Sequence, residues 1–219
     1  MTRSRVFIPP IYPIIDNSLT LAADIEKTAT DIMNGGARII QFRTKGLSSR
    51  EFLKSAFIVR RITKDRDVIF IVNDRVDIAL IANADGVHLG QDDLPAKEAR
   101  RLLGSKKIIG YSTHNLREAL EAIKLPINYI SFGPIFPTKT KEDAQTPKGI
   151  KGLSEVRKSV GIPIVAIGGI TETNMVHVLK QGADSVAMIS DILTSSDIPK
   201  KLKRLNIIAK DRLMAEGGR

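Results

Sequence analysis

Ile164-Val-Ala-Ile-Gly-Gly-Ile170, with the residues that follow it as far as Gly182, decides how this chain folds. Four apolar, largely β-branched residues read as a buried strand, and Gly168-Gly169 ends it. Thr171 then stands where a hydroxyl can cap a helix. Met175, Val178 and Leu179 repeat at helical spacing, and Gly182 is placed to stop that helix before a second apolar run, Ser185–Ile189. Strand, glycine turn, helix and strand within residues 164–189 make one βαβ unit.

The same alternation extends back to the start of the chain. Candidate strands are Ile11–Ile15, Arg38–Phe42, Val68–Val72, Gly86–Leu89, Lys107–Tyr111 and Tyr129–Phe132. Helical patterns separate them. Ser48 and Glu51 form a capping box ahead of Phe52, Ala56 and Val59, and Asn115 with Glu118 precedes a stripe of Leu116, Ala119, Leu120 and Ile123. Alternating β and α elements imply a parallel sheet with right-handed crossovers. Eight units in 219 residues suit the compact end of the barrel range, and no Gly-x-Gly-x-x-Gly follows the first strand. The expectation is an α/β fold, a single (β/α)8 TIM barrel over residues 1–219, ending in a basic amphipathic helix at about 198–216.

Composition narrows the function classes. A chain that is 42% hydrophobic and 26% charged is ordinary for a globular protein. The absence of cysteine excludes disulfides, thiolate nucleophiles and Cys-ligated metal. Apolar runs such as Val68–Val72 and Ile78–Ala82 are far shorter than the roughly 20 residues of a membrane span. Pro9-Pro10 breaks the short apolar stretch near the N-terminus, so a signal peptide is not expected either. These features favour a cytoplasmic protein with no membrane partner. The net charge of +10 is concentrated at the ends: Arg3 and Arg5 near the N-terminus, and seven Lys/Arg against Asp211 and Glu216 in residues 200–219. That distribution fits a solvated basic helix face. No zinc-finger, recognition-helix or RNA-binding aromatic motif accompanies it, so nucleic acid is not an expected partner.

In a barrel, the residues that follow the strands build the site. Here these are Asp16; Gln41, Arg43 and Lys45; Asn73 and Asp74; Gln91, Asp92 and Asp93; Ser112 and His114; Thr138, Thr140 and Lys141; Gly168-Gly169; and Ser190. Gly168-Gly169 opening onto a helix, with Ser190 nearby, suits a phosphate. Arg43, Lys45 and Lys141 could clamp a diphosphate, whereas Lys139 reads locally as surface. Asp74 and Asp93 suit Mg²⁺, although Asp93 could instead cap the helix after Pro95, and Asp74 could pair with Arg75. His88 reads as a satisfied packing residue, His177 as surface, and His114 as a strand-end residue able to act as acid or base.

The runs Gln41-Phe-Arg-Thr-Lys45, Val72-Asn-Asp74, Gly86-Val-His-Leu-Gly-Gln-Asp-Asp93, Gly110-Tyr-Ser-Thr-His114, Gly133-Pro-Ile-Phe-Pro-Thr-Lys-Thr-Lys141 and Ala166-Ile-Gly-Gly-Ile170 together resemble the thiamine-phosphate synthase family, over about residues 11–193. The resemblance implies a transferase that joins 4-amino-2-methyl-5-(diphosphooxymethyl)pyrimidine to a thiazole phosphate, releasing pyrophosphate. It implies that Gln41, Phe42, Arg43, Thr44, Lys45, Asn73, Ser112 and Lys141 bind the pyrimidine diphosphate, with Arg43, Ser112 and Lys141 catalytic. It further implies that Asp74 and Asp93 hold Mg²⁺, and that Thr138, Lys139, Thr140, Gly169, Ile189 and Ser190 lie around the thiazole phosphate. Departure of the diphosphate before attack by the thiazole nitrogen would need no protein nucleophile. Two other readings compete with this one. One is a thiazole phosphate tautomerase on the same barrel, using His114; the other is a basic nucleic-acid-binding or regulatory barrel. A homo-oligomer is compatible with the chain.

Overall fold

Along each strand, side chains alternate between two buried faces, and that alternation sets the architecture. In the computed structural model, which describes residues 6–138 and 146–216, the strands are β1 (Ile11–Asp16), β2 (Ile39–Arg43), β3 (Ile69–Asn73), β4 (Gly86–Leu89), β5 (Ile108–Thr113), β6 (Tyr129–Phe132), β7 (Ile164–Ile167) and β8 (Ser185–Met188). They pair in parallel in chain order, and β8 pairs with β1, closing the expected eight-stranded TIM barrel.

Around it lie α1 (Ile25–Asn34), α2 (Ser49–Thr63), α3 (Val76–Ile81), α4 (Ala96–Leu103), α5 (Leu116–Ala122), α6 (Gly149–Ser159), α7 (Met175–Lys180), the one-turn α8 (Ser190–Leu193) and α9 (Ile198–Glu216). No helix among the described residues is long and apolar enough to cross a membrane.

Two cores result. Tyr12, Ile14, Ile39, Ile71, Tyr129, Val165, Ala187 and Ile189 fill the barrel interior. Ile40, Phe42, Phe70, Val72, Ile130 and Phe132, one residue out of phase, pack beneath the helices with Phe52, Ala56, Val59 and Leu153. Period-two alternation separates the faces, and each large apolar side chain removed from water contributes about 1.5–3 kcal/mol.

Helix starts follow local chemistry. Ser48 and Glu51 form the full capping box at α2, and the Asn115 side chain accepts from the Glu118 N–H at α5. The expectation at Thr171 is corrected. α7 begins at Met175, because the Thr171 hydroxyl pairs with Thr173 and its N–H donates to the Asn174 Oδ1. The glycine pair therefore leads into a turn rather than directly into a helix. In α9, Leu202 and Leu205 are buried while Lys200, Lys203, Arg204 and Lys210 face solvent, as the amphipathic pattern predicts.

Candidate functional site

Strand register creates the site. It sets Asp16 opposite Arg43, Asn73 opposite His88, and Ser112 opposite Ser131 at the C-terminal ends of their strands. The inward residues change from apolar to polar towards that end. A cavity of about 470 Å³ opens there, lined among others by Gln41, Arg43, Lys45, Asn73, Asp74, Asp93, Ser112, His114, Thr138, Gly168, Gly169, Ile189 and Ser190.

Most of the residues singled out in the sequence thus meet around one space, though not all of them do. Within 41–45, side chains alternate, so Gln41, Arg43 and Lys45 reach the cavity. Phe42 instead turns to the helix layer, edge-on to Phe52 at 5.3 Å, fully buried and away from the cavity. Thr44 does not line the cavity, and its hydroxyl is buried without a hydrogen-bond partner. The pleat thus divides the run, with the side chains of Gln41, Arg43 and Lys45 on the cavity and those of Phe42 and Thr44 away from it. Lys139, Thr140 and Lys141 lie outside the described residues.

The end of β1 orients the Arg43 side chain, and the residue after it fixes the Lys45 backbone. Arg43 donates to the Asp16 carboxylate, which also accepts from the Ser18 N–H and hydroxyl. Asn17 brackets Lys45: its Oδ1 accepts the Lys45 N–H at 2.8 Å and its Nδ2 donates to the Lys45 carbonyl at 3.0 Å. Lys45 in turn brings its ammonium to 3.5 Å from Asp74. Asn17 was not legible as a site residue. Its only signal is its place directly after the strand-end Asp16.

Asp74 and Asp93 form the acidic side of the cavity, close enough for the Asp74 charge to act on Asp93. Asp74 adopts a left-handed backbone (φ 63°), a conformation that Asp tolerates better than most residues. Asp93 does not cap α4, whose first turn follows Pro95 without a side-chain cap; its carboxylate accepts the Gly90 N–H at 2.6 Å. Nor does Asp74 pair with Arg75, which is bound to Asp77. Burial pushes the Asp93 carboxyl up; the Gly90 N–H opposes this and the neighbouring Asp74 adds to it, leaving it at about 6.

Behind the charges lies a buried polar chain. Gln41 Nε2 donates to the Tyr12 hydroxyl at 3.1 Å, and the Tyr12 and Tyr129 hydroxyls are 3.0 Å apart. Tyr129 reaches His88 Nδ1 at 3.0 Å, and His88 Nε2 is 3.0 Å from the Ser112 hydroxyl and 3.3 Å from that of Ser131. Burial raises the pKa of both tyrosines well above the ordinary phenol value, so both remain neutral. His88 is satisfied, as expected, yet it also lines the cavity. Tyr12, Tyr129 and Ser131 are additional lining residues, and they become visible in sequence only once the inward phase of β1 and β6 is known.

At the rim, His114 Nδ1 lies 2.9 Å from Glu118, which also accepts the His114 N–H and a hydrogen bond from Gln91. Across the cavity, Gly168 and Gly169 have φ of 99° and 63°. A Cβ on Gly168 would meet Pro134 at 2.5 Å, and one on Gly169 would meet the Pro137 carbonyl at 2.6 Å. The pair thus lets two loops meet, besides leaving backbone open to a ligand.

Comparison with known proteins agrees with this geometry. A family model described as thiamine monophosphate synthase matches residues 11–192. The chain is 43% identical over 195 residues to the thiamine-phosphate synthase of Lawsonia intracellularis, covering 89% of this chain and 90% of that protein. It is also 43% identical over 201 residues to the one from Persephonella marina, covering 92% and 96%. Among solved structures, thiamine phosphate pyrophosphorylase from Pyrococcus furiosus superposes with a TM-score of 0.85 at 38% identity, over 93% of this chain and 96% of that one.

Proposed function

Because the chain belongs to the thiamine-phosphate synthase family and catalyses that family's transferase reaction on small-molecule substrates, we propose a division of labour within its cavity. The carrying observation is that Arg43, its side chain bound to Asp16 at the end of β1, and Lys45, its backbone bracketed by Asn17, lie in one cavity with Ser112, Asp74 and Asp93. Fixed positive charge beside hydroxyl and carboxylate groups suits a diphosphate more than a neutral ligand.

Arg43 and Lys45, with Ser112 from β5, bind the diphosphate of the pyrimidine substrate, and Lys141 joins them from the loop after β6. The carbon–oxygen bond to the diphosphate breaks, its electron pair leaves with pyrophosphate, and the thiazole nitrogen supplies the pair for the new carbon–nitrogen bond. Arg43 is already oriented by Asp16, so it stabilises the negative charge growing on the leaving group without reorganising. Gln41 and Asn73 orient the pyrimidine end against the buried polar chain. The closed interior beneath them limits access of water to the reacting carbon. Thr138, Gly169, Ile189 and Ser190 surround the thiazole phosphate.

The neighbouring carboxylates of Asp74 and Asp93 fit a divalent cation, since two anionic groups lining one cavity and partly removed from water need a countercharge. Mg²⁺ bound there would neutralise charge on the departing diphosphate. Asp74 and Asp93 would hold it.

The test is an end-point assay of the purified protein with both substrates, with and without Mg²⁺, reading thiamine phosphate after oxidation to its thiochrome. Mg²⁺-dependent product is expected. Folded protein that makes product equally well in a chelator overturns the metal assignment, and folded protein that makes none overturns the choice of substrates.

A further inference from the structure

Beneath the loops after β7 and β8 lies a cluster of charged side chains that the reaction does not use. Lys201 Nζ, on α9, is 2.9 Å from the Asp191 carboxylate and 3.2 Å from that of Glu172. All three side chains are less than one-fifth exposed. Arg204 Nε adds a 2.6 Å contact to Glu172, and the Glu172 N–H donates to Asp191 at 3.2 Å. Burial works against the Lys201 charge, but its hydrogen bonds to Asp191 and Glu172 outweigh that and hold the ammonium protonated above its ordinary range.

The position of the cluster matters. Glu172 lies three residues after Gly169, and Asp191 directly follows Ser190. α9 itself is anchored: Leu202 is fully buried, a Cβ on Gly35 would come within 2.5 Å of it, and Asn206 donates to the Gly35 carbonyl. Lys201 therefore ties the anchored α9 both to the β7–α7 loop and to the start of α8, whose Gly169 and Ser190 line the cavity.

We propose that Lys201 is a positioning residue for the thiazole phosphate: it braces the β7–α7 loop carrying Gly169 and the start of α8 carrying Ser190, and together with Arg204 it balances the carboxylates of Glu172 and Asp191. Without it, Arg204 alone is left to offset two partly buried carboxylates, and the β7–α7 loop and α8 lose the tie that holds them both to α9. Lys201 also lies beyond the 11–192 segment matched by the family model, and it gives one cation of the basic C-terminal helix a task other than solvation.

The inference rests on the placement of the thiazole phosphate at Gly169 and Ser190, so its test separates the two. Steady-state kinetics are measured for wild type, Lys201→Met, Lys201→Arg, Glu172→Gln and Ser190→Ala, varying each substrate in turn. Lys201→Met is expected to raise KM for the thiazole phosphate about tenfold or more, while KM for the pyrimidine diphosphate changes less than about twofold. Lys201→Arg restores most of the loss. If Lys201→Met fails to fold, Glu172→Gln, which withdraws one charge and keeps a polar partner, must show the same split at smaller amplitude. A lower melting temperature with both KM values unchanged, or a uniform rise in both, overturns the brace. If Ser190→Ala leaves the thiazole phosphate KM unmoved, the placement of that substrate fails. If Ser190→Ala raises it and neither Lys201→Met nor Glu172→Gln does, the brace alone fails.

Discussion

Asp16 and Arg43 stand opposite each other in the β1–β2 register, and the guanidinium donates to a carboxylate that is fully buried. A buried pair of this kind is a weak source of net stability but a strong constraint, because removing one partner leaves an uncompensated charge, at a cost of about 3–5 kcal/mol. Its value here is orientation: one end of Arg43 is fixed, and the side chain meets the cavity in one pose. Asp16→Asn keeps an acceptor and withdraws the charge. It should preserve the fold while lowering kcat/KM for the pyrimidine diphosphate about 10- to 100-fold, as steady-state kinetics would show. Asp16→Ala should also lose several kcal/mol in urea unfolding.

The neighbouring carboxyls of Asp74 and Asp93 predict a trade of stability for function. Burial pushes Asp93 up to about 6 and the Asp74 charge adds to it, so ionising both is unfavourable when no cation is bound. Asp93→Asn should therefore raise the melting temperature in a chelator at pH 8, and it should abolish the further rise that Mg²⁺ gives the wild-type protein. Differential scanning fluorimetry with and without Mg²⁺ reads both effects. A variant that is destabilised in chelator and still responds to Mg²⁺ contradicts the pairing.

Gly169 predicts a coupled loss of stability and affinity. Its positive φ costs an alanine about 1–2 kcal/mol, and the new Cβ would fall 2.7 Å from Phe136 Cβ as well as 2.6 Å from the Pro137 carbonyl. Gly169→Ala should lower the melting temperature by about 2–8 °C, at roughly 2–4 °C per kcal/mol for a chain of this size. It should also raise KM for the thiazole phosphate, because the loop must move to admit the methyl group.

Glu118 predicts a pH signature. Burial tends to raise its pKa, but hydrogen bonds from the His114 side chain and N–H and from Gln91 outweigh that and hold it below the ordinary value of 4.5. A depressed carboxyl contributes stability that is present above its unfolded pKa and is lost as pH falls through the folded one. The stability difference between wild type and Glu118→Gln should thus be constant at neutral pH and should close below about pH 4.5. The pair is partly exposed, so the difference should not exceed about 1 kcal/mol. Urea unfolding at pH 7 and pH 3.5 tests this.

Gly86–Leu89, Tyr129–Phe132 and Ile164–Ile167 form over the residues expected, the last because its apolar residues are continuous and the first two although His88 and Ser131 interrupt them. The last strand, β8, stops one residue early, at Met188, and in the other four the C-terminal edge moved on by one or two residues, to Asp16, Arg43, Asn73 and Thr113. These polar residues look like loop in a hydropathy reading but continue the ladder, because the site is built on strand ends. The helix after Gly168-Gly169 was misplaced at its start for a local reason: Thr171 satisfies its hydroxyl with Thr173 instead of capping.

By itself the sequence determined the alternation of β and α elements, and with it a parallel barrel whose polar strand ends gather at one mouth. Alternation also decides that Gln41 and Arg43 share a face and that Phe42 takes the other, since successive side chains on a strand point oppositely. Which face is inside was decided only by closure of β8 onto β1, because both faces are apolar enough to be buried. Contacts that depend on this closure join residues far apart in the chain: Tyr12 to Tyr129, His88 to Ser131, Lys201 to Glu172. Nothing local in the chain marks either partner. Their pairing is a consequence of strand register and helix docking, which exist only once the whole barrel has formed.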